Sequence, residues 1–283
     1  MKNSLLFLLS FFLFINVSYG QLYQGPANGS VPNGVIVSTN DFKDVSYEIP
    51  TKPFAKRKLR NNVPINPYPD YLNTTPPSAP EGSNYIVDPS FVNGDRLDNT
   101  EPLLVYSFKG FSDPGNYIPP DPYIAAGPTH VIGVDNSRIR IWDKSGNTVQ
   151  TIDADLWFSS VLGGVGAFDP KVSYDHFAKR WVMVWLDQEN IPPRGYFLLS
   201  VSDDSIPTGI WYNWALPSNM YGSSVTASWG DYQGVGFDDQ AIYMTTNQYR
   251  FAGGFDGARV RIIGKAQLYK NTAGQVVWTD LWN

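Results

Sequence analysis

The sequence predicts an all-β fold, and three observations carry that expectation. Residues 171–174 and 180–186 are two β-type runs around the turn Asp175-His176-Phe177-Ala178-Lys179. In the second run Trp181, Met183 and Trp185 alternate with Val182, Val184 and Leu186, so both faces are apolar. Further runs at 196–201 and 210–214 follow the breaks Pro192-Pro193-Arg194-Gly195 and Pro207-Thr208-Gly209, which makes a unit of four short antiparallel strands. The composition agrees. Aromatics reach 15 %, charged residues only 17 %, with 25 Gly and 22 Pro, a mix that suits short strands and tight turns rather than helical bundles. A strand that is apolar on both faces belongs in a sheet covered on both sides. A four-stranded unit sandwiched between two like it has the form of a β-propeller blade.

The chain opens with a targeting pattern. Lys2 is followed by an apolar core at residues 5–15 and by the small residues Ser18 and Gly20, so residues 1–20 read as a signal peptide and Gln21 as the mature N-terminus. That core is shorter than the roughly 20 residues a membrane span needs, and no later stretch reaches that length. There are no Cys residues, so stability in an oxidising compartment cannot rest on disulfides. A net charge of -5 provides no electrostatic footprint for nucleic acid. The expectation is a secreted or cell-surface protein with no transmembrane span in the mature chain.

Residues 21–102 are poorly patterned. Residues 35–37 and 45–47 read as isolated strands. Lys52, Lys56, Arg57, Lys58 and Arg60 form a basic run that reads as a solvated surface, with contact to an anionic surface as the other reading. Pro64, Pro67, Pro69, Pro76, Pro77 and Pro80 mark an extended linker. Little order is expected before about Leu103.

From there the elements follow closely. Residues 103–108 read as a strand, and 131–134 with 138–142 as a pair around Asp135-Asn136-Ser137. A hairpin turn follows at Asp143-Lys144-Ser145-Gly146-Asn147, with Gly146 supplying positive φ. Residues 152–161 show a weak helical period. After the four-stranded unit, 234–237, 241–245, 258–263, 266–269 and 275–278 read as further strands. Asp121-Pro122, Asp169-Pro170 and Asp231-Tyr232 recur ahead of successive hairpins at intervals of roughly 50 to 60 residues, about the length of a propeller repeat with insertions in its loops. Three units are visible where a closed ring needs at least about four, so residues 103–283 are expected to be an incomplete propeller or a fragment of one.

Several of these residues also carry a resemblance. The stretch from Pro120 through Asp121, Pro122, Gly127 and Pro128 to His130, then Asp169-Pro170 with Tyr174-Asp175 and Arg180-Trp181, then Trp229-Gly230-Asp231-Tyr232 and Tyr243-Met244-Thr245, resembles large, exported, poorly characterised bacterial β-propeller proteins. The resemblance covers about residues 103–270 and implies a propeller fold and a secreted or surface location. Ser202, Asp204 and Trp211 are similar to a degenerate Asp-box of sialidase-type propellers, a hairpin whose role is structural.

Catalytic signatures are sparse. The only two His are His130, at a strand entry, and His176, in a hairpin turn, too few for a His-based zinc site without converging carboxylates. There is no G-x-S-x-G elbow and no phosphate-binding Gly motif. Glu occurs only at 48, 81, 101 and 189, so the acidity is mostly Asp, a residue of turns and of cation ligands. Asp121, Asp169 and Asp231 are the candidate binding residues. Each opens an equivalent element, and propeller symmetry gathers such loops on one face. There they would accept hydrogen bonds from sugar hydroxyls or hold a cation, for which oxygen ligands favour Ca²⁺; turn capping is the plainer reading. Trp229 beside Asp231 suits sugar recognition, core packing being the other reading. The expected function is a non-catalytic binding or scaffold module for an extracellular glycan or a cell-surface protein. The alternative is a sialidase-like glycoside hydrolase or a polysaccharide lyase on the same scaffold.

Overall fold

The computed structural model describes residues 23–45, 108, 110–111 and 119–283. In chain order the strands are β1 (Gln24–Val31), β2 (Val35–Ser38), β3 (Tyr123–Ala126), β4 (His130–Asp135), β5 (Arg138–Asp143), β6 (Thr148–Asp153), β7 (Phe168–Asp175), β8 (Arg180–Asn190), β9 (Pro193–Ser202), β10 (Ile210–Pro217), β11 (Met220–Tyr221), β12 (Ser224–Val225), β13 (Ser228–Phe237), β14 (Ala241–Arg250), β15 (Phe255–Gly264) and β16 (Val276–Trp282). They build four antiparallel sheets. The first has order β3-β4-β5-β6, the second β2-β10-β9-β8-β7 and the third β1-β16-β15-β14-β13, while β11 and β12 form a small ribbon. The all-β expectation therefore holds. Among the described residues helix is confined to short turns such as Ala154–Phe158, inside the stretch with the weak helical period, and Lys265–Leu268. The second corrects the strand expected at 266–269. Four residues cannot separate the two periods, and here Leu268 turns into the core while Lys265 reaches a buried carboxylate. No described helix is long and apolar enough to cross a membrane.

The excess of Asp is turn chemistry. Asp135 Oδ1 accepts from the N–H groups of Ser137 and Arg138, and Asp143 Oδ1 from those of Ser145 and Asn147. Asp175 Oδ1 accepts from Phe177 and Ala178, and Asp238 Oδ1 from Gln240 and Ala241. Each carboxylate satisfies backbone donors that a tight hairpin leaves unpaired. The Tyr243 hydroxyl and then the Ala241 and Gln240 amides hold Asp238 down at about 2.

The alternation in β8 divides two cores. Trp181, Met183 and Trp185 pack with Ile132, Val134, Ile139 and Ile141 between the first and second sheets. Val182, Val184 and Leu186 pack with Ile242, Met244, Ile263 and Trp278 between the second and third. All six β8 side chains are essentially inaccessible to solvent, and each such burial contributes on the order of 1.5–3 kcal/mol. The segment with the Asp-box likeness closes the β9–β10 hairpin. Ser202 Oγ donates to Asp204 O, Asp204 accepts from the Ile206 N–H, and the Trp211 indole donates to Pro207 O.

The expectation of little order before Leu103 does not hold for the N-terminal strands. Residues 24–45 form a belt across the outer edges of all three large sheets. β1 pairs with β16 and β2 with β10. Beyond β2, Asp44 Oδ1 accepts from Thr151 N–H and Val45 N–H donates to Thr151 O, on β6. The belt is held by edge hydrogen bonds and by close fit rather than by an apolar pattern of its own. A Cβ on Gly29 would stand 2.2 Å from Gly222 O and 2.5 Å from the Trp278 ring, and one on Gly34 2.3 Å from Asn213 O and 2.6 Å from the Trp214 ring. Only glycine lets the belt lie this close to those indoles. The proline-rich linker and the basic run lie outside the described residues, as does the signal-peptide region. Val37, 5 % exposed, is the belt's anchor in the first core. Val37→Asp is expected to destabilise the fold by roughly 3 kcal/mol through an unpaired buried carboxylate, read as a lower urea midpoint. An unchanged midpoint would show that the belt is not part of the cooperative unit.

Candidate functional site

The three large sheets open their inner strands in the same way. Asp121, Asp169 and Tyr232 all have left-handed backbone, with φ of 46°, 49° and 48°. In β7 the pairing with β8 shifts between Phe168 and Lys171, and in β13 the pairing with β14 shifts between Asp231 and Gly234. β7 thus carries a bulge at its start, and β13 carries one after its first four residues. The register corrects the repeat read from the sequence by one position. Asp231 pairs where Phe168 does, and Tyr232 is the counterpart of Asp121 and Asp169. Asp tolerates this backbone region, whereas a tyrosine there is held by its surroundings at a cost.

Side-chain amides tie the three openings together. Asn136, in the β4–β5 turn, donates through Nδ2 to Asp121 Oδ2 and to Pro119 O, both at 2.9 Å. Its Oδ1 accepts from Asp169 N–H at 2.6 Å. From the third sheet, Gln233 Nε2 donates to Asp169 O and to Val184 O. The Asp169 peptide is therefore gripped by the first sheet through its N–H and by the third through its C=O. Sites held in this way by side chains of neighbouring elements are preorganised.

Beside this knot lies an aromatic platform. The Lys171 ammonium stands 4.7 Å from the centre of the Tyr123 ring and 4.5 Å from that of Tyr232, one ring from the first sheet and one from the third. The rings remain 45 % and 59 % exposed. Each cation–π contact contributes on the order of 0.5–1 kcal/mol at an exposed position, enough to fix where the rings stand. The assembly presents two flat apolar faces, one ammonium and the half-exposed Asp121 carboxylate. Such a surface can stack against C–H faces and hydrogen-bond hydroxyl groups.

The four sequence candidates have different fates. Asp121 and Asp169 are brought together through Asn136, but Asp169 is only 2 % exposed, so it is a structural centre rather than a surface ligand. Asp231 is half-buried one position away from the repeat, and its Oδ1 accepts from Tyr232 N–H. The Trp229 ring packs edge-on to Phe168 at 6.2 Å and against Tyr249 at 6.5 Å, on the flank of the second core, which favours the packing reading. The idea of three carboxylates converging on a cation is not realised, since among the described residues no three His, Cys, Asp or Glu groups are placed to hold a metal ion. His130 contacts Thr129, with its pKa lowered by burial against the opposing pull of Asp143. His176 lies on an exposed turn against Phe177 and Phe237. Tyr123, Asn136, Lys171, Tyr232 and Gln233 were not singled out from the sequence. Aligning the repeats on Pro122, Pro170 and Gln233 would have placed Tyr123 and Lys171 at one equivalent position.

Two buried charge clusters stand apart from this site. Arg261 makes a two-pronged ion pair with Asp280 at 2.8 Å on each arm, both side chains fully buried, with Arg259 alongside. Lys265 meets Asp175 at 2.6 Å, and the Tyr269 hydroxyl donates to the same carboxylate oxygen at 2.7 Å. No protein-family model matches the chain, and no curated protein matches it.

Proposed function

We propose that the chain is a secreted or surface-associated, non-catalytic binding module built on three consecutive blades of a β-propeller, and that it takes a glycan on the Tyr123–Lys171–Tyr232 platform. The left-handed residue that recurs at Asp121, Asp169 and Tyr232, with a register shift beside it in β7 and β13, supports the blade reading, because it gives one element of each unit the same local conformation. The exposed rings flanking Lys171 carry the functional reading. A cell-surface protein is the other ligand class. Two separate flat rings with a cation between them suit sugar faces and hydroxyls better than they suit a broad protein interface, whose centre is a packed apolar cluster. The signal-peptide pattern supports an extracellular setting.

A glycan microarray followed by calorimetry on the strongest ligand tests this. Tyr232→Ala is expected to weaken that ligand at least about tenfold, equivalent to 1.4 kcal/mol, with a melting temperature within a few degrees of the parent. Equal affinity in the variant removes the platform from the site. A chain that binds no glycan turns the reading toward a protein ligand.

A further inference from the structure

Arg259 and Arg261 lie two apart on β15, so they share one face, and both point into the space beneath Pro217, Ser218 and Met220. Arg261 is fully engaged. It pairs with Asp280 and donates to Pro217 O and Met220 O. Arg259 is not. Its Nη1 donates to Ser218 O and Met220 O, but Nε and Nη2 have no hydrogen-bond partner among the described residues. Asp280 cannot serve both. Its oxygens already accept from Arg261 Nε and Nη2, from Gly222 N–H and from the Trp278 indole.

The cluster therefore holds two guanidinium groups and one carboxylate, all between 0 and 1 % exposed. Burying an uncompensated charge is among the most costly arrangements a fold can contain. Proton loss does not relieve it. Burial, and then the Arg261 charge, push Arg259 down only to about 9, so it stays charged at neutral pH. The Phe197 ring, 5.1 Å from the guanidinium carbon, supplies a quadrupole but no acceptor for the N–H groups.

The geometry points to a small monovalent anion of the halide class, bound at the Nε and Nη2 edge of Arg259 as the missing counter-charge. One negative charge balances the cluster, whereas a multivalent oxyanion would over-compensate it. Tyr221 and Trp282, the strand partner of Arg259, line an open cleft of about 450 Å³ together with Gln24 and Ser224. The Asp256 carboxylate on that cleft is matched by Arg250 at 2.7 Å.

Two measurements on the chain decide it. Crystals grown in sodium bromide should show an anomalous peak within hydrogen-bonding reach of Arg259 Nε or Nη2. At matched ionic strength the melting temperature should be about 3 °C or more higher in chloride or bromide than in gluconate, and Arg259→Met should abolish that difference. Absence of the bromide peak, or equal melting temperatures of the parent chain in the two salts, overturns the inference. If Arg259→Met does not fold, the parent chain's bromide peak and salt difference decide alone.

Discussion

Asp280→Ala is expected to cost about 3–5 kcal/mol of folding stability, because it leaves two buried guanidinium groups without a carboxylate. The change also strips an acceptor from the Gly222 amide and the Trp278 indole, which joins the β11–β12 ribbon to β16. For a chain of this size the melting temperature should fall by roughly 6–20 °C. Removing both members of the ion pair separates charge from packing. The double change Arg261→Met with Asp280→Leu is expected to be less damaging than Asp280→Ala alone, since a buried pair replaced by apolar groups of similar volume is often close to neutral. Urea unfolding of the three proteins checks the ranking. A milder effect of Asp280→Ala than of the double change would mean the carboxylate is not what compensates the arginines.

Lys265→Met is the second large effect expected, about 3 kcal/mol or more, because Asp175 then loses its buried cation. The same variant should change the response to acid. Burial pushes the Asp175 carboxyl up, but the bonds from Lys265, Tyr269 and the Ala178 amide outweigh it, so its pKa lies below the ordinary carboxylate value. A carboxyl depressed on folding stabilises above its unfolded pKa, about 3.9. That contribution is lost as pH falls through the folded value below it. In the parent chain Asp175 therefore contributes fully at neutral pH and down to about pH 4. Without Lys265 the burial effect dominates, so the carboxyl rises above its unfolded value and the sign reverses. Acid then protonates the unpaired carboxylate, and the variant should recover stability relative to the parent as pH falls through the mildly acidic range. Stability curves at neutral, mildly acidic and strongly acidic pH show this directly. Parallel curves for parent and variant would remove the ion pair from the account.

Much of the scaffold was legible in the sequence, because β8 states its environment in six residues. Trp181, Met183 and Trp185 on one side and Val182, Val184 and Leu186 on the other require two cores, and two cores are found. The Asp-rich turns were legible for the same local reason. Of the N-terminal belt only residues 35–37, within β2, were legible. Gln24–Val31 reads QGPANGSV, without an apolar alternation, and its order comes from edges and indoles supplied by distant strands. The third strand opening was misplaced by one residue because Asp231-Tyr232 imitates the Asp-Pro pairs, while the bulge is defined by pairing with β14. The platform depends on three side chains from three sheets meeting at one point. No spacing along the chain encodes that Lys171 stands between Tyr123 and Tyr232.

The most direct test of the binding-site proposal is a crystal structure of the chain with its strongest-binding oligosaccharide. The account predicts a sugar ring stacked on Tyr123 or Tyr232, with a hydroxyl in reach of Lys171 or Asp121. An oligosaccharide bound elsewhere, such as in the cleft lined by Tyr221 and Trp282, with the platform bare, would contradict it.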